Sequence, residues 1–391
     1  MEDVFIVSMA RTPIGGLSGV LAGVNAVELG KTVVKAALER AGISGDQVDE
    51  VYLGNVLQAN VGQAPAQQVS IAAGINTKTP CTTINKVCAS GMKTIMLGAQ
   101  SIALGDNDVV VVGGMESMTN APHYLPNGRT GIRYGNGEIL DAISRDGLQD
   151  PYKKYMMGNA GEVCAKHYAF TREEQDAYAI ASYKRVIEAN ANGYFKDEIV
   201  PVTVKTRKGE EQITEDEDPK KFDESKVAGL KPAFEKDGTI TAFNAPGIND
   251  GACAMVLMSG KKVKELGVTP LAKVIGFADA SQEPEWFTTT PSKAIPKALS
   301  KANVKIEDVD FFEINEAFSV VAMANMKELN ISHDKLNVFG GAVALGHPIG
   351  ASGCRIVATL ISVLKHKNGK IGAAGICNGG GGASAIVIEK V

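Results

Sequence analysis

The chain has 391 residues, 45% of them hydrophobic and 21% charged, with a formal net charge of -4. That length accommodates two or three well-buried domains, and so mild a charge, with no long Lys/Arg run, excludes charge-driven binding to nucleic acid or an anionic membrane. No apolar run is read as a bilayer span, and the scattered cysteines 81, 88, 164, 253, 354 and 377, with no CxxC pair, read as reduced thiols.

In chain order, a strand is predicted at Val4 to Ser8, close enough to the N-terminus to leave no room for a transit peptide. The C-terminal Ile388-Glu389-Lys390-Val391 is not a peroxisomal tripeptide, so a cytoplasmic location is expected. Cys88-Ala89-Ser90-Gly91 opens an apolar helical stretch, Met92 to Leu104, followed by a strand at Val109 to Val112. Residues 119 to 247 are polar and turn-rich, with a helix expected around Arg172 to Ala191 and an acidic-then-basic segment from Glu210 to Lys231. Core-like sequence resumes after Thr239, and a second half begins at Leu271.

The second half repeats the first. Ala37-Leu38, Ala41, Val48, Asp49, Val51 and Leu53 match Ala298-Leu299, Ala302, Val309, Asp310, Phe312 and Ile314 at a constant offset of 261. Gly350-Ala351-Ser352-Gly353, ahead of the apolar stretch Ile356 to Leu364, repeats the first tetrapeptide at an offset of 262. A period this long means a duplicated domain rather than a solenoid. Both halves are expected to end in corresponding strands, Val109 to Val112 and Ala383 to Ile388. The architecture is therefore α/β layers around buried sheet. Residues 1–118 and 248–270 form one half, 271–391 the other, and 119–247 an excursion folded over a site.

Four features carry chemistry. Cys88 stands in a small-residue turn before a helix, where free N–H groups and the helix dipole favour an anion, so its thiol is expected to be acidified. The alternative is a small buried hydrophobe. His347, between Gly346 and Pro348, sits in a turn rather than on an apolar face, as a catalytic imidazole would. Cys377 leads into Gly379 to Gly382, whose backbone N–H groups can cradle an oxyanion. Asn315-Glu316 stands at a strand exit, either as a site residue or as a helix cap. A Cys–His pair gives a covalent acyl-enzyme, and a second thiol supplies an acid/base. The set lacks the short paired spacings of a zinc site.

Asn85-Lys86-Val87-Cys88-Ala89-Ser90-Gly91, Gly113-Gly114-Met115-Glu116-Ser117-Met118, Asn315-Glu316-Ala317-Phe318, Gly340-Gly341-Ala342, Gly346-His347-Pro348-Ile349-Gly350 and Cys377-Asn378-Gly379-Gly380-Gly381 together resemble the thiolases, most closely the biosynthetic acetoacetyl-CoA thiolases. The resemblance implies a duplicated five-layered αβαβα fold with an inserted loop domain that holds coenzyme A. It implies a Claisen condensation of two acetyl-CoA to acetoacetyl-CoA and CoA, and the reverse thiolysis. Carried over, Cys88 takes the acetyl group, His347 accepts its proton, and Cys377 deprotonates the second acetyl-CoA. Asn315 would hold an oxyanion-binding water beside His347, and Gly379 would donate to the second oxyanion with Cys88. CoA contacts fall on Met157, Tyr183, Lys221, Phe222, Asp223, Lys226, Pro246 and Phe318, where a solvated basic face is the alternative for the lysines. No organic cofactor is implied. A K⁺ site is implied at Tyr183, Ala242, Phe243, Ala245 and Val343. The segment after Asn120 resembles a tetramerisation loop, so a homotetramer or homodimer is expected.

Three positions depart from the family pattern. Phe243 adds bulk, Pro246 lacks the usual serine hydroxyl and a backbone N–H, and Met156 replaces a frequent histidine. They predict restricted CoA access and a raised KM. The rival readings are a thiolase-like binding or assembly component and a 3-ketoacyl-CoA thiolase of broader chain length.

Overall fold

The computed structural model describes residues 2–207 and 209–391. The first half contains β1 (Val4–Arg11), β2 (Gly15–Gly16), α1 (Ala26–Ala41), β3 (Glu50–Gly54), α2 (Pro65–Ala72), β4 (Cys81–Ile84), α3 (Ser90–Leu104) and β5 (Val109–Ser117). The excursion holds β6 (His123–Tyr124), β7 (Leu140–Asp141), α4 (Met157–Tyr168), α5 (Arg172–Ala191), β8 (Val202–Thr206) and β9 (Gly209–Ile213). The chain then continues through β10 (Asn249–Ser259), α6 (Gly260–Leu266), β11 (Ala272–Ser281), α7 (Pro291–Ala302), β12 (Phe311–Ile314) and α8 (Ser319–Leu329). It ends with α9 (Ala342–Leu345), α10 (Ile349–His366), β13 (Ile371–Asn378) and β14 (Gly382–Lys390). α5 has the predicted limits because Thr171 caps it, accepting from the Glu174 N–H while Glu174 accepts from the Thr171 N–H.

The strands join in the order β12-β13-β14-β11-β1-β10-β5-β3-β4, with β2 on β10. β1 and β11 pair antiparallel over only Val4 to Ile6, and that short ladder links the two halves. Helices α1 and α2 cover the outer face of the first half, α7 and α8 that of the second, and α3 and α10 lie between. This is an αβαβα stack. The valine run of β5 is buried on both faces: Val110 and Val112 join the core around α3 and α10, Val109 and Val111 the core under α1.

The duplication extends to the core elements other than β4, whose place beside β12 holds only the isolated bridge of Phe312 with Leu336 among the described residues. The terminal strands match differently from expectation. β5 corresponds to β13 and β10 to β14, so Val109–Val112 and Ala383–Ile388 are not equivalents. The cause is the excursion. In the first half, residues 118–248 connect the last two core strands, whereas Gly379–Gly381 do so in the second. Two further expectations are corrected. The second tetrapeptide is not a turn before a helix, because α10 begins at Ile349 and residues 350–353 are its first turn. And an apolar window long enough to cross a membrane does exist, Val87–Leu104, but it contains α3 and is mostly buried inside the protein.

The tetrapeptides meet where α3 crosses α10. A methyl group added to Gly91 would lie 2.8 Å from the Cys354 nitrogen, and one added to Gly353 would lie 2.4 Å from the Met92 nitrogen. The contact is reciprocal and backbone to backbone, so neither side has a flexible group to yield. The excursion is tied down by Arg11, whose Nε meets Glu198 Oε2 at 2.7 Å and whose Nη1 meets Asp216 Oδ1 at 2.8 Å, all fully buried. Replacing Gly353 with alanine is expected to destabilise the fold by about 1–3 kcal/mol through overpacking. A chemical denaturation curve checks it, and an unchanged midpoint would contradict the tight crossing.

Candidate active site

Cys88 lies one residue before Ala89, the cap of α3. The turn that presents it is strained: Val87, a β-branched residue, has φ +47°. Local bonds hold it there. Asn85 Oδ1 accepts from the Val87 N–H at 2.9 Å, the Lys86 N–H donates to Ser90 Oγ at 2.8 Å, and Ser90 Oγ donates to the Val87 carbonyl at 2.6 Å. Lys86 reaches across to the second half, donating to Ser384 Oγ at 2.7 Å and pairing with Asp279.

His347 lies between α9 and α10, after Gly346 at φ +102°. The Asn249 side chain occupies the space where a Gly346 Cβ would stand, and Asn249 Oδ1 accepts from the His347 N–H at 2.9 Å. His347 Nδ1 is 2.6 Å from Ser352 Oγ, and that hydroxyl donates to the Pro348 carbonyl at 2.9 Å. With its single proton so used, the hydroxyl can only accept from the ring. The imidazole is therefore the Nδ1–H tautomer, and its Nε2, which has no partner among the described residues, presents a lone pair. Burial, and next the charge of Arg355, pull His347 down to about 3, so the ring is neutral at physiological pH.

Cys88 and His347 line one cavity of about 330 Å³. Its other walls include Leu148, Met156, Met157, Phe234, Phe287 and Phe318. In this apolar setting the expected acidification of Cys88 does not occur: burial raises its thiol to about 11, although N–H groups of Gly379 and Cys88 itself favour the thiolate. Desolvation outweighs the two donors. Cys377, fully buried at the end of β13, is also pushed well above its ordinary value, by burial and then by neighbouring Cys88. It does not itself line the cavity; it sits in the apolar cluster that includes Phe287, Ala317 and Phe318. The resting site thus holds two protonated thiols and a neutral base.

Asn315 follows β12 and is 1% exposed, yet neither Nδ2 nor Oδ1 has a partner among the described residues. A buried amide with both ends free is suited to hold water. Its neighbour Glu316 fixes the strand exit by accepting from Tyr178, Ser182, Asn337 and the Val343 N–H at 2.8–3.0 Å.

Of the CoA-binding candidates, Met157, Pro246 and Phe318 line the main cavity with Gly379. Tyr183, Lys221, Phe222, Asp223 and Lys226 line a second cavity of about 290 Å³, which shares Ala242, Ala245 and Gly247 with the first. The lysines there already have carboxylate partners: Lys221 pairs with Glu217 and Asp218, and Lys226 with Asp223. The expected obstruction by Phe243 is absent from the main cavity. Its ring stacks on Tyr183 at 5.1 Å and 9°, and on Phe222 at 6.0 Å, and it borders only the second cavity. Of the K⁺ candidates, Tyr183, Ala242, Phe243 and Ala245 border that second cavity, and Val343 lies in α9 outside it. Two functional side chains were not singled out from sequence: Ser352, which sets the His347 tautomer, and Asn249, which seats its backbone. Ser352 was in view as part of the repeated tetrapeptide, whereas Asn249 had no motif around it.

A duplicated αβαβα protein in which a thiol and an imidazole line one apolar cavity has the fold and groups suited to an acyltransferase. The thiolase N-terminal domain matches residues 4–261 and the thiolase C-terminal domain residues 268–390. The chain belongs to the thiolase family. It is 53% identical over 391 residues to an acetyl-CoA acetyltransferase of Schizosaccharomyces pombe, covering 100% of this chain and 99% of that one. It is also 53% identical to acetyl-CoA acetyltransferase ERG10, cytosolic, of Gibberella zeae, with 100% and 99% covered. Among solved structures, the Acat5 thiolase of Ascaris suum in complex with coenzyme A superposes at a TM-score of 0.95, with 47% identity and full coverage of both chains.

Because Phe243 faces its aromatic partners, Phe243→Ala is expected to cost about 0.5–1.5 kcal/mol for each ring pair lost and to leave KM for CoA no lower. Thermal melts and steady-state kinetics check this. A lower KM would mean that the ring obstructs the CoA path.

Proposed function

We propose that this chain is an acetyl-CoA C-acetyltransferase, condensing two acetyl-CoA to acetoacetyl-CoA and CoA and catalysing the reverse thiolysis. The observation that carries this is the unpartnered Nε2 of His347 sharing an apolar cavity with the Cys88 thiol. Full-length similarity to acetyl-CoA acetyltransferases supports the choice of substrate.

The resting protonation states give a balanced cycle. Cys88 Sγ attacks the acetyl carbonyl as its proton passes to His347 Nε2. The CoA thiolate leaves and takes the proton of Cys377, so CoA departs as a thiol and Cys377 becomes a thiolate. An apolar neighbourhood makes that thiolate a strong base, able to take a methyl proton from the second acetyl-CoA. The imidazolium, with water on Asn315, stabilises the enolate, which attacks acetyl-Cys88. Acetoacetyl-CoA leaves, and His347 returns its proton to Cys88. Every group ends as it began.

Potassium would be held by the Tyr183 hydroxyl and carbonyls of Ala242, Phe243, Ala245 and Val343. Tyr183 is raised to about 12 by burial and then by Asp218 and Glu316, a field that favours a cation beside it. The ion would supply positive charge that fixes the wall shared by the two cavities. A homotetramer is supported by the arm between β5 and α4, which exposes Leu125, Ile132, Ile139 and the almost fully exposed Tyr134. A cytosolic location is supported by the Gibberella zeae relative, which is named as a cytosolic enzyme.

Steady-state thiolysis of acetoacetyl-CoA tests the assignment. Turnover is expected in the wild type and none in Cys88→Ala, with His347→Asn lowering kcat by about 10²–10⁴-fold, as loss of a general base does. Because His347 stays neutral down to about pH 3, its own titration produces no acid limb between pH 5 and 9. Absence of wild-type thiolysis at millimolar CoA would overturn the proposal. Light scattering of a Leu125→Asp, Tyr134→Asp variant tests the arm, with dimers expected and an intact tetramer contradicting its role.

A further inference from the structure

Glu116, in the first half, accepts from the Gly350 N–H of the second, and the cycle above does not use it. It lies near the end of β5, fully buried, and its carboxylate takes four donors. Asn55 Nδ2 and the Leu57 N–H reach Oε1 at 2.8 and 3.1 Å, and the Val56 and Gly350 N–H groups reach Oε2 at 3.0 and 2.9 Å. Gly350 is in the first turn of α10, three residues after His347 and two before Ser352. A methyl group on Gly350 would lie 2.6 Å from Glu116 Oε2, so the glycine is what lets the carboxylate reach the helix backbone.

We propose that Glu116 is a positioning residue for the acyl transfer. Its ionised carboxylate, anchored in the first half, holds the first turn of α10 and through it aims His347 Nε2 at Cys88. All four partners are donors, so only the carboxylate satisfies them; a protonated carboxyl would set its own O–H against an N–H. The helix start also gains from the negative charge.

Ionisation here falls within the working range. Burial raises Glu116 to about 7, the three N–H groups oppose the shift, and the charge of Asp250 on β10 adds to it. The titratable groups acting on it are Asp250 on β10 and Cys88 before α3; residues 54–58 contribute none. Because folding raises this carboxyl, the folded chain binds more protons than the unfolded one between pH 4.5 and about 7. Its contribution to stability therefore improves as pH falls through that window. A loss of activity there is positional and is not unfolding.

The test compares wild type, Glu116→Gln and Glu116→Asp by two readouts. One is the pH profile of kcat and KM for acetoacetyl-CoA thiolysis, which rests on the proposed function. The other is the rate of Cys88 alkylation by iodoacetamide against pH, which reads the proposed aim of the imidazole at the thiol and needs no substrate. Wild type is expected to lose kcat and alkylation rate together below about pH 7, with its melting temperature unreduced. Glu116→Gln is expected to fold, lose about 10²-fold in kcat with little change in KM, alkylate more slowly, and show no step near neutrality. Glu116→Asp should restore part of the rate and the step. Wild-type rates and an unaltered step in Glu116→Gln would overturn the proposal, as would a loss confined to KM. If Glu116→Gln does not fold, a wild-type alkylation profile with no step between pH 6 and 8 would overturn it. Wild-type alkylation with the expected step but no thiolysis would count against the proposed reaction and leave the positioning role standing.

Discussion

The close crossing of α3 and α10 is the constraint on which the rest of the structure depends. Gly91 and Gly353 bring the two helices into backbone contact, and the reactive groups sit at the start of each: Cys88 just before α3, His347 just before α10. A side chain at either glycine would separate the helices and so the thiol from the base. The distance between nucleophile and base is thus set by a backbone-to-backbone contact, in the layer that both halves of the sheet cover. Loops add only orientation: Lys86 to Asp279 and Ser384 on one side, Asn249 to the His347 N–H on the other.

Burial sets the chemistry at that contact. An apolar cavity disfavours charge on either partner, so the thiol rises, the imidazole falls, and the resting pair is neutral. The nucleophile is not a preformed thiolate waiting at a helix dipole. In the proposed cycle it becomes one only as it attacks, with His347 Nε2 as the proton acceptor. The same burial, which raises the Cys377 thiol, makes it in that proposed cycle a proton source for the leaving CoA thiolate and afterwards a strong base. One physical effect therefore assigns three roles, and the Nδ1–H tautomer set by Ser352 gives the proton its direction.

Much of this was legible in the sequence, because duplication and small-residue motifs are local patterns. The offset of 261 located β3 and β12, and the paired tetrapeptides marked the starts of α3 and α10 without showing that these helices cross. What stayed hidden depends on burial and on long-range contact. Cys88 looked acidified because a helix start is visible in a sequence, whereas the surrounding Met157, Phe318 and Phe287 come from distant segments. The terminal strands were matched one strand out because nothing local marks β10 as the partner of β5 across the excursion. Phe243 looked obstructive because its two aromatic partners, Tyr183 and Phe222, lie 60 and 21 positions earlier in the chain. Side-chain direction is decided by packing, which a motif does not carry.

The central claim is that Cys88, activated by a neutral His347, carries the acyl group. Rapid quenching of the enzyme with acetoacetyl-CoA, followed by peptide mass mapping, tests it most directly. An acetyl group on the peptide bearing Cys88, formed in the wild type and strongly delayed in His347→Asn, is the predicted result. Acetyl on Cys377 instead, or turnover with no acetylated cysteine, would contradict the account.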